Sequence, residues 1–166
     1  MSRLDSFIRR LEAQRACLDW AIVAIRDVPG IVLELGLGNG RPYDHLRAYV
    51  GNARQILAFD RQLAAHPDCV PDKAHLLLGD FKDTLPTLWQ RLAGGAALIH
   101  ADAGSGDAVA SQAQACGLPA LVDPVLAAGG IVLSDQDMAP PASLGWKALP
   151  MPRGVKPGRY HLYSKA

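Results

Sequence analysis

Apolar residues recur at helical spacing near the start of the chain, at Leu4, Phe7, Ile8 and Leu11 and again at Leu18, Ala21, Ile22 and Ile25, with Arg9, Arg10, Glu12 and Arg15 between them. This spacing predicts one long helix or two consecutive ones, ended by the Pro-Gly break within Asp27 to Gly30. The period then changes. Short apolar runs follow at Ile31 to Leu35, Ile56 to Phe59, His75 to Leu78, Ala96 to Ile99 and Ile131 to Leu133, each of a length for a strand buried on both faces of a parallel sheet. Segments of helical character separate them: Pro42 to Val50, Asp83 to Leu92 with Asp83 as cap and Pro86 in its first turn, and Asp107 to about Ala128 after the Gly104-Ser105-Gly106 turn. Arg61 to Lys73 reads as weak helix at best, interrupted by Pro67 and Pro71. Gly145 to Leu149 and Arg159 to Tyr163 alternate apolar and polar residues around a Pro/Gly-rich connection, which predicts a closing antiparallel hairpin. Alternating strand and helix make a doubly wound α/β sheet behind N-terminal helices the simplest architecture.

The length of 166 residues fits a single domain, with residues 1–28 as a helical segment and 29–166 as the α/β core. Nearly half the residues are apolar and a fifth charged, the composition of an ordinary globular chain. Acids and bases are dispersed and the formal net charge is +1, so no basic stripe along the sequence points to nucleic acid. No segment resembles a secretory signal or a membrane span, and a cytoplasmic protein is expected. Cys17, Cys69 and Cys116 follow no metal or redox spacing and read as reduced, mostly buried thiols.

The candidate chemistry begins where the first strand runs into Glu34-Leu35-Gly36-Leu37-Gly38-Asn39-Gly40 and then a helix. Such a turn offers free backbone N–H groups to an anionic ligand group, and a side chain there would block its approach. Asp60, at the end of the second strand, is placed to accept hydrogen bonds from a ribose diol. Together they point to a nucleoside-containing cofactor. A dinucleotide fingerprint would need glycine or alanine at position 41, where the chain has Arg41 followed by Pro42, and no triphosphate-binding G-x-x-x-x-G-K-[ST] is present.

From Val32 onward the sequence resembles the class I S-adenosylmethionine-dependent methyltransferases. Glu34, Gly36, Gly38 and Gly40 match their first motif, Asp60 the acidic residue ending the next strand, and Leu78-Gly79-Asp80-Phe81 the carboxylate after strand three. The resemblance implies a Rossmann-like sheet, mostly parallel with an antiparallel last strand at Tyr160 to Tyr163, and S-adenosyl-L-methionine as cofactor. It also implies roles. Glu34 would hold the methionine amino group through water or its neighbours, Gly36 and Gly38 would let the cofactor lie against the backbone, Asp60 would grip the ribose, Asp80 and Phe81 would read the adenine, and Arg61 and Gly79 would complete the cofactor-binding set. Helix N–H groups near Gly40, with Arg10 or Arg41, are candidates for the methionine carboxylate.

Methyl transfer is an in-line displacement, so the acceptor side mainly has to align the acceptor and take up its proton. The residues after strands four and five supply the candidates. Asp102 is expected near the cofactor and, with His100 as base, in catalysis. Asp102, Asp135 and Gln136 also resemble the ion-binding set of cation-dependent small-molecule O-methyltransferases. Glutamine stands there in place of asparagine, however, and that family's lysine base is absent from 103–107, so a divalent cation is possible but not favoured. His45, His161 and Tyr43 read as packing or surface residues. A small-molecule acceptor is expected, because the last connections are short and no Asn-Pro signature of amino-group acceptors follows strand four. A homo-oligomer is possible. Two other readings stay open: a non-catalytic S-adenosylmethionine-binding partner domain, and a nicotinamide-dependent oxidoreductase motivated only by the glycine turn.

Overall fold

The computed structural model describes residues 2–104 and 106–166, so Met1 and the Ser105 of the turn before Asp107 lie outside the described residues. One helix, α1 (Arg3–Ala24), opens the chain, its first turn closed by a reciprocal capping box between Ser2 and Asp5. Five parallel strands follow: β1 (Ile31–Leu35), β2 (Ile56–Asp60), β3 (Leu76–Leu78), β4 (Ala96–Ala101) and β5 (Leu126–Ser134). A short β6 (Lys147–Ala148) and a final β7 (His161–Ser164) complete a seven-stranded sheet of order β3-β2-β1-β4-β5-β7-β6. The hairpin expected from alternation is present, with β7 antiparallel to both neighbours.

Successive strand residues point to opposite faces, and both faces are covered. Val32, Ile56, Ala58, Leu98, Ile131 and Leu133 pack with α1 and with α2 (Arg41–Val50). Leu33, Leu57, Phe59, Ile99 and Val132 pack on the other face with Phe81, Leu85, Leu88 and α4 (Ala108–Val122). The helices therefore sandwich the sheet, as the buried runs predict. Strand order reverses between β1 and β4, which opens a crevice at their carboxyl ends, where ligands bind in such sheets.

Three expectations are corrected. The segment Asp83 to Leu92 is capped by Asp80, whose side chain accepts from the Lys82 N–H, and α3 (Phe81–Thr84) is a single turn. Pro86 has no N–H to carry the α-helical ladder further, so the chain tightens into a 3₁₀ turn at Leu85–Leu88. The long helix ends at Val122 instead of near Ala128. Pro124 stops it, and Leu126 to Ala128 begin β5, which shifts register against β4 between Ala96 and Leu98. Of the three thiols only Cys17 is buried; Cys69 is half-buried and Cys116 exposed. Arg61 to Lys73 contains no α-helix, only the 3₁₀ turn Pro67–Cys69 and the start of a second at Lys73–His75.

Arg54 fastens the far end of α1. Its guanidinium donates to the carbonyls of Ile25 (2.7 Å), Arg26 (3.1 Å), Val28 (2.6 Å) and Gly30 (2.9 Å), joining the helix terminus to the turn that enters β1. A cation there also complements the negative end of the helix dipole.

Candidate active site

The glycine turn spans the crevice between β1 and β4. Gly36 N–H donates to the Phe59 carbonyl and Asp102 N–H to the Leu35 carbonyl, which draws the turn close to the end of β4. A Cβ at Gly36 would run into the Asp102 carbonyl oxygen, so this glycine serves the close approach of two backbone segments. Gly38 differs. At φ +51° it faces nothing within 4 Å, and a side chain would fill the space above the turn. Its N–H donates to Asp60 Oδ2 at 2.8 Å, while Asp60 Oδ1 accepts from Gln62 N–H at 3.3 Å. The second acidic residue is therefore bound to the glycine turn itself.

Around this turn lies a cleft of about 450 Å³ whose walls include Gly36, Gly38, Asp60, Arg61, Phe81 and Asp102. A second compartment, about 290 Å³, lies under α1 and is lined by Arg10, Gln14, Asn39, Arg41 and Pro42. The two share Gly36, Gly38, Asp102 and Gly104. Asp80 caps α3 beside the larger compartment and pairs with Arg61 at 3.7 Å. Gly79 shapes the turn before it, its N–H donating to the Asp60 carbonyl. Gly40 caps α2 with φ +86° and lies against Cys69, away from the cleft lining.

A buried polar chain runs from the sheet to the cleft. Glu34 and His100 stand opposite each other in the β1–β4 register, on the face covered by α1, and both are 0 % exposed. Glu34 Oε2 lies 2.8 Å from His100 Nδ1, and His100 Nε2 lies 3.1 Å from the Tyr160 hydroxyl, with the two rings stacked. Gln14 Nε2 donates to the Tyr160 hydroxyl at 2.9 Å and to Asp102 Oδ2 at 2.6 Å. With a neutral imidazole every proton has one acceptor: Gln14 donates to Asp102 and to Tyr160, Tyr160 to His100, and His100 to Glu34. Burial pushes the Glu34 carboxyl up, against the pull of His100. Burial alone would lower His100, but the Glu34 carboxylate beside it holds the imidazole above its ordinary range. Burial and the Asp102 charge raise the Tyr160 hydroxyl well above the usual phenol range, which keeps it protonated.

Glu34 Oε1 has no hydrogen-bond partner, the one such buried side-chain atom among the described residues. An orphaned carboxylate oxygen in a site with no water access calls for a donor. Glu34 lines neither compartment, so it offers a ligand ammonium its charge across the turn and no direct bond, while the open space at Gly38 and the paired oxygens of Asp60 suit a nucleoside. The residues present thus fit a cofactor with an amino acid at one end and a ribose at the other.

On the acceptor side Asp102 receives Gln14 and lies 3.9 Å from the Arg10 guanidinium. Asp135 stands next to it, its carboxyl raised by burial and by the Asp102 charge, and receives the Gln136 amide at 3.1 Å. The proposed ion-binding trio is therefore gathered in one place. Among the described residues no group of three or more His, Cys, Asp and Glu could hold a metal ion. His100 is sealed beneath Tyr160 and does not line either compartment.

Sequence reasoning missed Gln14 and Tyr160. Gln14 interrupts the apolar stripe of α1 between Leu11 and Leu18, and a polar residue at a core-facing position was the available signal. Tyr160 enters only through the register of β7, which no local pattern encodes.

The profile of the S-adenosyl-L-methionine methyltransferase family matches residues 1–165. No curated protein matches the chain. Among solved structures, an S-adenosyl-L-methionine methyl transferase from Silicibacter pomeroyi DSS-3 is 42 % identical, with TM-score 0.92 over 100 % of this chain and 99 % of that one. Human methyltransferase-like protein 13 in complex with SAH is 15 % identical, with TM-score 0.59 over 92 % and 78 % of the two chains. SAH-bound PaMTH1 from Podospora anserina is 19 % identical, with TM-score 0.58 over 90 % and 77 %. The last two likenesses speak for the fold alone. The profile and the Silicibacter protein set aside the nicotinamide and non-catalytic readings. Cleft, profile and relative agree: the chain belongs to the S-adenosyl-L-methionine methyltransferase family and is an enzyme that uses S-adenosylmethionine.

Proposed function

We propose that this enzyme methylates a small-molecule acceptor bound in the compartment beneath α1. The observation that carries the reading is the size of that compartment, about 290 Å³ between α1 and the start of α2, continuous with the larger cleft at Asp102 and Gly104. Short connections after β5 add no platform for a polymer, and neither nucleic acid nor a membrane is part of this reading.

The cofactor supplies an electrophilic methyl carbon on a sulfonium. Asp60 would bind the ribose hydroxyls, with Arg61 holding Asp80 at the rim. Gly79, Asp80 and Phe81 would frame the adenine, and Gly38 would leave room for the ligand. Gly36 and Gly40 would act by fixing the turn. Glu34, sealed beneath the turn, would act on the amino group through its neighbours, and Arg10 or Arg41, which both line the smaller compartment, would meet the carboxylate. Asp102 borders both compartments and would take the acceptor's proton, with Asp135 at its side. His100 would act at one remove, holding Tyr160 and through it Gln14, and so aiming Asp102. No divalent cation is required in this scheme.

The test has two arms. Calorimetric titration should show Asp60→Ala binding S-adenosylhomocysteine about 10- to 100-fold more weakly, the loss of a charge-assisted hydrogen bond. An acceptor screen should then release S-adenosylhomocysteine with a low-mass metabolite fraction, at a rate EDTA leaves unchanged. Turnover only with protein or RNA fractions would refute the small-molecule assignment, and a rate abolished by EDTA and restored by magnesium would move Asp102, Asp135 and Gln136 onto a metal.

A further inference from the structure

The cations that look dispersed in the sequence do not stay so in the fold. Arg9 and Arg15 on α1 face Arg153, Lys156 and Arg159 on the segment before β7, around a groove of about 370 Å³. Glu12 is the one acid in its lining, so the groove carries a local charge of +4 in a chain whose net charge is +1. Among the described residues none of the five cations forms an ion pair. Folding therefore collects five mutually repelling charges around a single acid, an arrangement that an anionic ligand would relieve.

The groove is built, not splayed. Val155, Met151 and Leu149 pack against the core under α1, which fixes the segment that carries Arg153 and Lys156. Arg159 immediately precedes Tyr160, which is 1 % exposed. The floor is formed by Ala13, Ala16 and Val155.

We propose that this groove is a second binding site, for a compact anion carrying two or more negative charges, of the pyrophosphate type. Five donors on two opposing walls match a ligand with charges at both ends. A single-stranded nucleic acid fits less well, because the lining contains no aromatic residue on which a base could stack. The groove occupies a different face of α1 from the smaller compartment of the active site, which is reached by Arg10, Leu11 and Gln14. Its occupant is thus a second ligand and is independent of the acceptor proposed above.

Calorimetry on the full chain at low salt tests this with pyrophosphate, orthophosphate and an oligothymidylate. Pyrophosphate is expected to bind at least about tenfold more tightly than orthophosphate and to weaken as salt rises. Arg153→Glu combined with Lys156→Glu should reduce its affinity by about 30-fold or more, with S-adenosylhomocysteine binding within about twofold of the parent. Should that variant fail to bind S-adenosylhomocysteine, Arg9→Ala with Arg153→Ala provides the same comparison with no charge reversal. No binding of pyrophosphate at millimolar concentration, binding equal in parent and variant, or an oligothymidylate that binds more tightly than pyrophosphate would each overturn the proposal.

Discussion

Replacing Gln14 by methionine preserves the length and approximate volume of the side chain while deleting the amide that joins α1 to Asp102 and Tyr160. The bond to the Asp102 carboxylate is worth about 1.5–3 kcal/mol and the neutral bond to Tyr160 about 0.5–1.5 kcal/mol. A buried thioether recovers about 1 kcal/mol of apolar transfer, so the net loss expected is about 1–3.5 kcal/mol. Tyr160→Phe removes one hydroxyl and strands both the His100 nitrogen and one Gln14 proton, for about 1–3 kcal/mol. Because the Gln14–Tyr160 bond is absent from either single variant, the double variant should be less destabilised than the sum by about 1 kcal/mol. Urea unfolding with unchanged slopes measures all three. Single losses below about 0.5 kcal/mol that simply add would show that the chain of contacts is not an energetic unit.

Other outcomes follow from the same structure. Arg54→Met should destabilise the protein by about 2–3 kcal/mol in thermal or urea unfolding, since four carbonyls lose a cationic donor at once, and Arg54→Lys should recover only part of it. Burial pushes the Cys17 thiol up to about 11, so a thiol reagent at neutral pH should modify Cys116 first and Cys17 only after unfolding; rapid labelling of Cys17 in the native protein would contradict its burial. The Tyr163 hydroxyl, donating to Asp137 at 2.6 Å, holds that carboxyl below its usual range, with the Ala139 N–H helping. A depressed carboxylate stabilises the fold fully above its ordinary pKa and loses that contribution as pH falls through the folded value. The stability difference between parent and Asp137→Asn should therefore be constant near pH 6 and shrink below about pH 4; a difference independent of pH would remove the assignment.

Much of the fold was legible because its signals are local. The runs Ile31 to Leu35 and Ile56 to Phe59 are uniformly apolar since both faces of the sheet are covered, and the turn at Gly36 to Gly40 advertises itself by composition. Asp60 and Asp80 could be placed because one ends a strand and the other follows one closely. The misread boundaries at Asp80 and Val122 are competitions between neighbouring caps and prolines, which differ by little energy and are settled by packing. Glu34 was legible as an acid at the turn, but not its pairing with His100, since register across a parallel sheet relates residues separated by a whole crossover. The cationic groove lay hidden for the same reason: Arg9 and Arg153 meet only in three dimensions.

The grip of Arg54 on the end of α1 has its complement at the other end. Leu4, Phe7 and Ile8 are 66 %, 47 % and 44 % exposed, whereas Cys17, Ala21 and Ile25 are sealed. The helix is thus a cantilever, clamped at its far end by Arg54 and again over the smaller compartment by Gln14, with only the turns before Arg10 projecting beyond the core. Fraying its first turns uncovers little apolar surface and breaks few contacts, so this end opens at a free-energy cost far below that of unfolding the domain.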